Sequence, residues 1–194
     1  MTLDAPRPLR VDAQRNRARV LAAAQKVLAA EGLSAPIDRI AEEAGVGVGT
    51  IYRHFPTQEA LYEAVVVETL VEFAAFGKSL ATATDPGAAF FTFCRRIIDR
   101  ALTAKAVADT LAGSGLEIKE RFSEPLAQLE QATSTLLKRA QRAGAVRKDV
   151  RPWEVITLIT AGCIAAELVE PKRQQLMVGV ILDGLRTTTK PAQG

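Results

Sequence analysis

Histidine is almost missing from this chain: His54 is the only one among 194 residues. A histidine cluster for a metal is therefore excluded, and a Ser-His-Asp arrangement would have to pass through that one position. Cysteine is as scarce. Cys94 and Cys163 lie far apart, without ligand spacing or a C-x-x-C pair. Each falls inside a helical pattern and reads as a buried free thiol in a reducing compartment. No G-x-x-x-x-G-K-[ST] run is present. Gly45, Gly47 and Gly49 alternate, but they follow a helix pattern and miss the G-x-G-x-x-G spacing, so they are not a phosphate loop. The carboxylates are scattered, with no pair placed as acid and base. The most apolar run, residues 155–166, is too short to cross a bilayer. The charged, proline-bearing first residues do not read as a secretory signal. These absences predict a protein that is not an enzyme, holds no metal or cofactor, has no membrane partner and is cytoplasmic.

What is present is helical. Hydrophobic residues make up 48% of the chain, enough for a core, and strand-type alternation is hard to find. The expected class is all-α. The length suits one domain or two small ones sharing an interface. The net charge of +3 does not by itself demand nucleic acid. Periodicity, glycines and prolines place helices over about 13–31, 37–44, 48–55, 57–80, 88–103, 117–143, 152–168 and 171–185. Gly113-Ser114-Gly115 marks an interruption, and the total is about nine helices. Pro152 and Pro171 suit the first turns of the last two.

The most informative stretch is IDRIAEEAGVGVGTIYRHF, residues 37–55. Ile37, Ile40, Ala41 and Ala44 fall on one face of a 3.6-residue repeat. Pro36 suits a first helical turn, and Gly45 suits a left-handed C-cap. In the second helix Ile51 and Phe55 face inward, leaving Val48, Gly49, Thr50, Tyr52, Arg53 and His54 more exposed. Two helices joined by a tight glycine turn form the helix-turn-helix unit, whose second helix can lie in the DNA major groove. Thr50 and Tyr52 carry hydroxyls for phosphate oxygens. Gly49 permits close backbone approach, and Val48 offers a contact to a thymine methyl. Thr57 is an expected N-cap for the next helix, whose first N–H groups suit a phosphate. On periodicity alone, ordinary helical-hairpin packing remains open, with Tyr52 in a small core and His54 a surface or cap residue.

The segment 16–61 closely resembles the N-terminal domain of the tetracycline-repressor (TetR) family of bacterial regulators. The resemblance rests on IAEEAGVGVGTIYRHFPTQEAL, residues 40–61, preceded by RARVLAAAQKVLAAEG, residues 17–32. The run GTIYRHFP, residues 49–56, is highly specific to that family. The resemblance implies DNA contacts at Val48, Gly49, Thr50, Tyr52 and His54, with Ile37 and Asp38 at the start of the first motif helix. Two departures stand out. The family often has a basic residue where this chain has Gln58, and a polar or basic one at Val48. Beyond the first quarter the likeness lies in helical layout and length.

Other features take their meaning beside the motif. Arg7, Arg10, Arg15, Arg17, Arg19 and Lys26 are opposed only by Asp12 in their span. A basic arm can follow phosphates or enter a minor groove; a soluble tail is the competing reading. A second basic cluster, Lys138 to Arg151, reads as helix-dipole complementation and solvation. Phe73, Phe76, Phe90, Phe91 and Phe93 crowd a short span. Plain core is the first reading. The second, raised by the resemblance, is an effector pocket lined by Phe73, Phe90, Phe93, Leu111, Leu116 and Trp153. Arg95, Arg96, Asp99 and Glu117 would be its polar contacts. The last two helices are apolar nearly all round, which calls for burial on more than one side. A four-helix dimer interface is expected at Ile159, Gly162, Ala165, Ala166, Met177 and Ile181, with a core helix in a monomer as the competitor.

The expected architecture is all-α, a three-helix DNA-binding domain followed by a helical ligand-binding and dimerisation domain. Its parts are a flexible basic arm at 1–12, a DNA-binding domain at 13–60 with its motif at 36–55, an effector-binding and dimerisation domain at 61–188, and a tail at 189–194. The expected function is a ligand-responsive repressor that binds a palindromic double-stranded operator as a homodimer. The alternative is an all-α small-molecule carrier or protein-binding adaptor that does not bind DNA.

Overall fold

The computed structural model describes residues 7–112 and 122–187, with side chains described except at positions 7–11, 99, 101–112, 163, 166, 167 and 171. Among the described residues there are eight helices and no strand: α1 (Arg7–Glu31), α2 (Ile37–Ala44), α3 (Val48–His54), α4 (Gln58–Ser79), α5 (Pro86–Ala112), α6 (Ser123–Arg142), α7 (Pro152–Glu167) and α8 (Pro171–Asp183). The chain divides into two compact units. One takes α1, α2, α3, the first part of α4 and the last part of α5; the other takes the end of α4, the first part of α5, and α6 to α8.

Several boundaries differ from the expected ones. α1 begins at Arg7, so part of the expected flexible arm is helical. α5 runs on to Ala112, because no glycine or proline interrupts residues 88–112. The interruption expected at Gly113-Ser114-Gly115 lies outside the described residues. Phe55 is not in α3 but caps it, in an extended conformation. Pro36 is likewise the extended residue before α2 rather than its first turn. Pro152 and Pro171 open their helices as expected.

The first unit is built around α1. Val20, Leu21, Ala24, Val27 and Leu28 are buried, against Ile40, Ala41 and Ala44 of α2 and Ile51 of α3. The turn between α2 and α3 rests on Gly45, which has φ +63°. The Val46 N–H donates to the Ala41 carbonyl and the Gly45 N–H to the Glu42 carbonyl, both at 3.0 Å. This pair of bonds closes the helix end with a left-handed residue. Arg19 of α1 donates to the Ala44 carbonyl at 2.6 Å, so a cation from another helix satisfies one of the last carbonyls of α2. A Cβ at Gly45 would stand 2.8 Å from the Arg19 guanidinium. Gly45→Ala is therefore expected to cost about 1–2 kcal/mol, from the left-handed backbone and the displaced arginine. Thermal or denaturant unfolding reads this. Gly47→Ala, with open space at its Cβ, should cost much less, and equal losses would remove the account.

The second unit has a continuous apolar core. Phe73 comes from α4, Phe90, Phe93 and Cys94 from α5, Leu136 and Leu137 from α6, Val155 and Ile159 from α7, and Leu182 from α8. Gly77 lets α4 approach: a Cβ there would meet Phe93 Cε2 and Ala132 Cβ at 2.9 Å. Phe73, Phe90 and Phe93 are thus core residues, at 3%, 0% and 0% exposure. Trp153 stands 39% exposed at the start of α7, not among them. Leu116 and the Leu111 side chain lie outside the described residues. Phe73, Phe90 and Phe93, expected to line an aromatic pocket, are packed in the apolar core of this unit.

Two expected interface residues also face inward. Ile159 is 2% exposed, and the Gly162 Cβ position is filled by Ile181 Cδ1 at 2.9 Å. These positions build the α7–α8 hairpin itself. Ala165, Met177 and Ile181 are half-buried, and the Ala166 side chain lies outside the described residues. Among the described residues, the exposed large apolar residues of the hairpin are Trp153, Leu158, Ile164, Leu168, Leu176 and Val180.

Candidate nucleic-acid interface

α3 is a seven-residue helix held from behind. Gly47 enters it in extended conformation, and the Thr50 N–H donates to the Gly47 carbonyl at 2.8 Å. Ile51 and Phe55, at 0% and 3% exposure, anchor it in the first unit. The opposite side presents Tyr52, 46% exposed, with Gly49 and Arg53 exposed and Val48, Thr50 and His54 half-buried. Nothing stands within 4 Å of a Cβ built on Gly49, so the fold itself does not require glycine there. The His54 ring lies beside Phe55, with centroids 6.4 Å apart. Arg53 was absent from the expected contacts. It is a cation on the same short helix, and its signal was its place between Tyr52 and His54.

The flanking positions are partly spoken for. Thr57 Oγ1 accepts from the Ala60 N–H at 3.1 Å, which is the expected cap of α4. Gln58 Nε2 donates to the Tyr62 phenol oxygen at 2.6 Å, and that phenol donates to the Leu33 carbonyl at 3.0 Å. One N–H of the Gln58 amide is therefore used inside the unit. Asp38 is exposed in the first turn of α2, and Ile37 is half-buried.

The basic series of α1 needs correction. Arg19 is bound to α2, the Arg17 guanidinium lies 5.1 Å from the Phe55 ring centroid, and Lys26 pairs with Glu43 at 2.6 Å. These three side chains meet groups of their own unit, because α1 continues as a helix packed on α2 and α3. Arg15 is exposed, 4.0 Å from Asp12. The side chains of Arg7 and Arg10 lie outside the described residues.

Cys94 is buried in the other unit, and burial pushes its thiol far above the ordinary value, so it stays protonated. Among the described residues no three His, Cys, Asp or Glu side chains form a candidate metal site, and no helix is long and apolar enough to cross a membrane.

Comparison with known proteins matches two stretches of the chain. Residues 20–65 match the model of bacterial regulatory proteins of the tetR family. Residues 85–187 match the C-terminal domain model of SbtR-like transcriptional regulators. A TetR transcription regulatory protein from Mycobacterium vanbaalenii is 40% identical, over 93% of this chain and 100% of that one, with a TM-score of 0.71. A TetR transcriptional regulator from Streptomyces coelicolor is 32% identical, over 89% and 99%, with a TM-score of 0.72. An HTH-type transcriptional regulator of Staphylococcus aureus is 40% identical over 63 residues; that match spans 32% of this chain and only 34% of the relative.

Proposed function

Because the chain belongs to the tetR family of bacterial transcriptional regulators, we propose that it is a ligand-responsive repressor and not an enzyme, binding a palindromic operator as a cytoplasmic homodimer. The observation that carries the reading is α3: a short helix anchored by Ile51 and Phe55, with Tyr52 facing outward. Each subunit lays α3 in a major groove. Thr50, Tyr52 and Arg53 bond phosphates, Val48 and Gly49 meet base edges at close range, and His54 lies at the rim. The α4 N-terminus behind Thr57 and Gln58, the α2 start at Ile37 and Asp38, and Arg15 with Arg7 and Arg10 complete the contact surface.

Two copies are needed because one seven-residue helix reads few base pairs. The second copy docks on the α7–α8 hairpin, where Leu168 and Val180 are 81% and 61% exposed. A small effector shifts the population toward a dimer whose α3 helices are wrongly spaced, which requires different affinities for the two states.

Selection of bound sites from a random duplex library, with the affinity of the winner followed across salt, tests the reading. The expected result is a two-fold symmetric site whose binding falls steeply as salt rises. Recovery of no site at low salt would overturn it in favour of a carrier.

A further inference from the structure

The second unit contains an open groove of about 700 Å³, bordered by Asp85, Phe91, Arg95, Arg96, Arg100 and Arg186. Its walls are set by the backbone. Gly87 at the start of α5 meets the loop after α6 so closely that a Cβ there would stand 2.7 Å from Ala145 Cβ. The segment after α8 returns along the same loop. The Arg147 N–H donates to the Leu185 carbonyl at 3.0 Å, and the Thr187 N–H to the Ala145 carbonyl at 3.4 Å. That return brings Arg186 opposite the exposed face of α5.

Among the described residues, four arginines thus share a groove with one carboxylate, Asp85, whose Oδ1 is occupied by the Ala88 N–H at 2.9 Å. Arg100 meets Glu72 at 3.4 Å and Arg186 meets Asp183 at 2.9 Å. Both are exposed ion pairs, worth little and readily exchanged. The Arg186 guanidinium lies 4.0 Å from the Phe91 ring centroid, and that of Arg96 lies 5.0 Å from the Phe76 centroid. Stacking uses the guanidinium face and leaves its N–H edge to donate. Arg95 borders the groove as well. From Arg95 to Arg100 the helix rises about 7.5 Å, so the charges are spread along the groove rather than gathered at one point.

We propose that this groove binds a small anion carrying two or more phosphate or carboxylate groups. Guanidinium forks match both groups bidentately, and the volume suits a metabolite-sized ligand. Its role as the effector rests on the regulator reading, but binding itself does not, because it is measured without DNA.

The test is calorimetry on the full chain with inorganic pyrophosphate and with citrate, at ionic strength held constant with sodium chloride. Saturable binding of either probe, weakened tenfold or more in Arg95→Gln/Arg96→Gln, supports the proposal. Pyrophosphate alone points to a phosphorylated ligand, and citrate alone to a polycarboxylate. Arg95→Lys/Arg96→Lys keeps the charge and loses the fork, so it should fall between. No saturable binding of either probe, or equal binding by wild type and both variants, overturns it. Whether either anion releases operator DNA is read separately.

Discussion

Tyr52→Ala is expected to weaken operator binding about a hundredfold while leaving fold and dimer intact. Tyr52 is 46% exposed, so its truncation leaves no enclosed cavity, and the protomer should lose less than about 0.5 kcal/mol. A hydrogen bond from a phenol to a charged phosphate is worth about 1.5 kcal/mol. A symmetric dimer carries the substitution twice, which gives about 3 kcal/mol, or about two orders of magnitude in Kd. Thr50→Ala should act in the same direction. Both side chains are neutral, so the slope of log K against log salt should not change. Arg53→Gln should instead lower that slope by removing a phosphate contact per subunit. Fluorescence anisotropy on the selected operator, repeated across salt, separates the two effects. Unchanged affinity in both Tyr52→Ala and Thr50→Ala would remove these contacts from the assignment.

The outward position of Tyr52 was legible in the residues because it depends on local spacing. Ile51 and Phe55 lie one turn apart, and the glycine after Ala44 and the threonine after Pro56 bound the elements. The same holds for Pro152 and Pro171, whose ring geometry acts within a single turn. What could not be read depends on partners distant in the chain. Arg17, Arg19 and Lys26 look like an arm until α2 and α3 fold against α1 and offer a carbonyl, a ring and a carboxylate. Ile159 and Leu158 are adjacent and equally apolar, yet one is 2% and the other 41% exposed. An all-apolar helix gives no periodicity to tell its inner face from its outer one. The arginine groove depends on Gly87 meeting Ala145 and on the path of the chain after α8, neither of which has a local signature. Arg95 and Arg96 were visible as polar residues, but not what would stand opposite them.

Val180→Arg should separate the two subunits. Val180 is 61% and Leu176 51% exposed in the protomer, one turn apart on α8. Leu158 and Ile164 on α7, and Leu168 just after it, extend the apolar surface. A lone protomer gains nothing from leaving so much of one hairpin apolar, whereas a second copy would cover it. In an isologous interface each substituted residue appears twice. An arginine buried without a partner costs about 3 kcal/mol. Even a single such penalty raises the dimer Kd about a hundredfold, and two raise it by about four orders of magnitude. The protomer itself should keep its helicity and unfolding profile, because the arginine points to solvent when no partner is present. Ala165→Arg, on the half-buried side of α7, should act likewise if the contact reaches that far. Sedimentation velocity over a concentration series gives the dimer Kd. Operator affinity should fall with dimerisation, since two linked α3 helices bind far more tightly than one. A Val180→Arg protein that remains dimeric with unchanged Kd places the second subunit on another face. A monomer that still binds the full operator with undiminished affinity overturns the paired reading of the DNA.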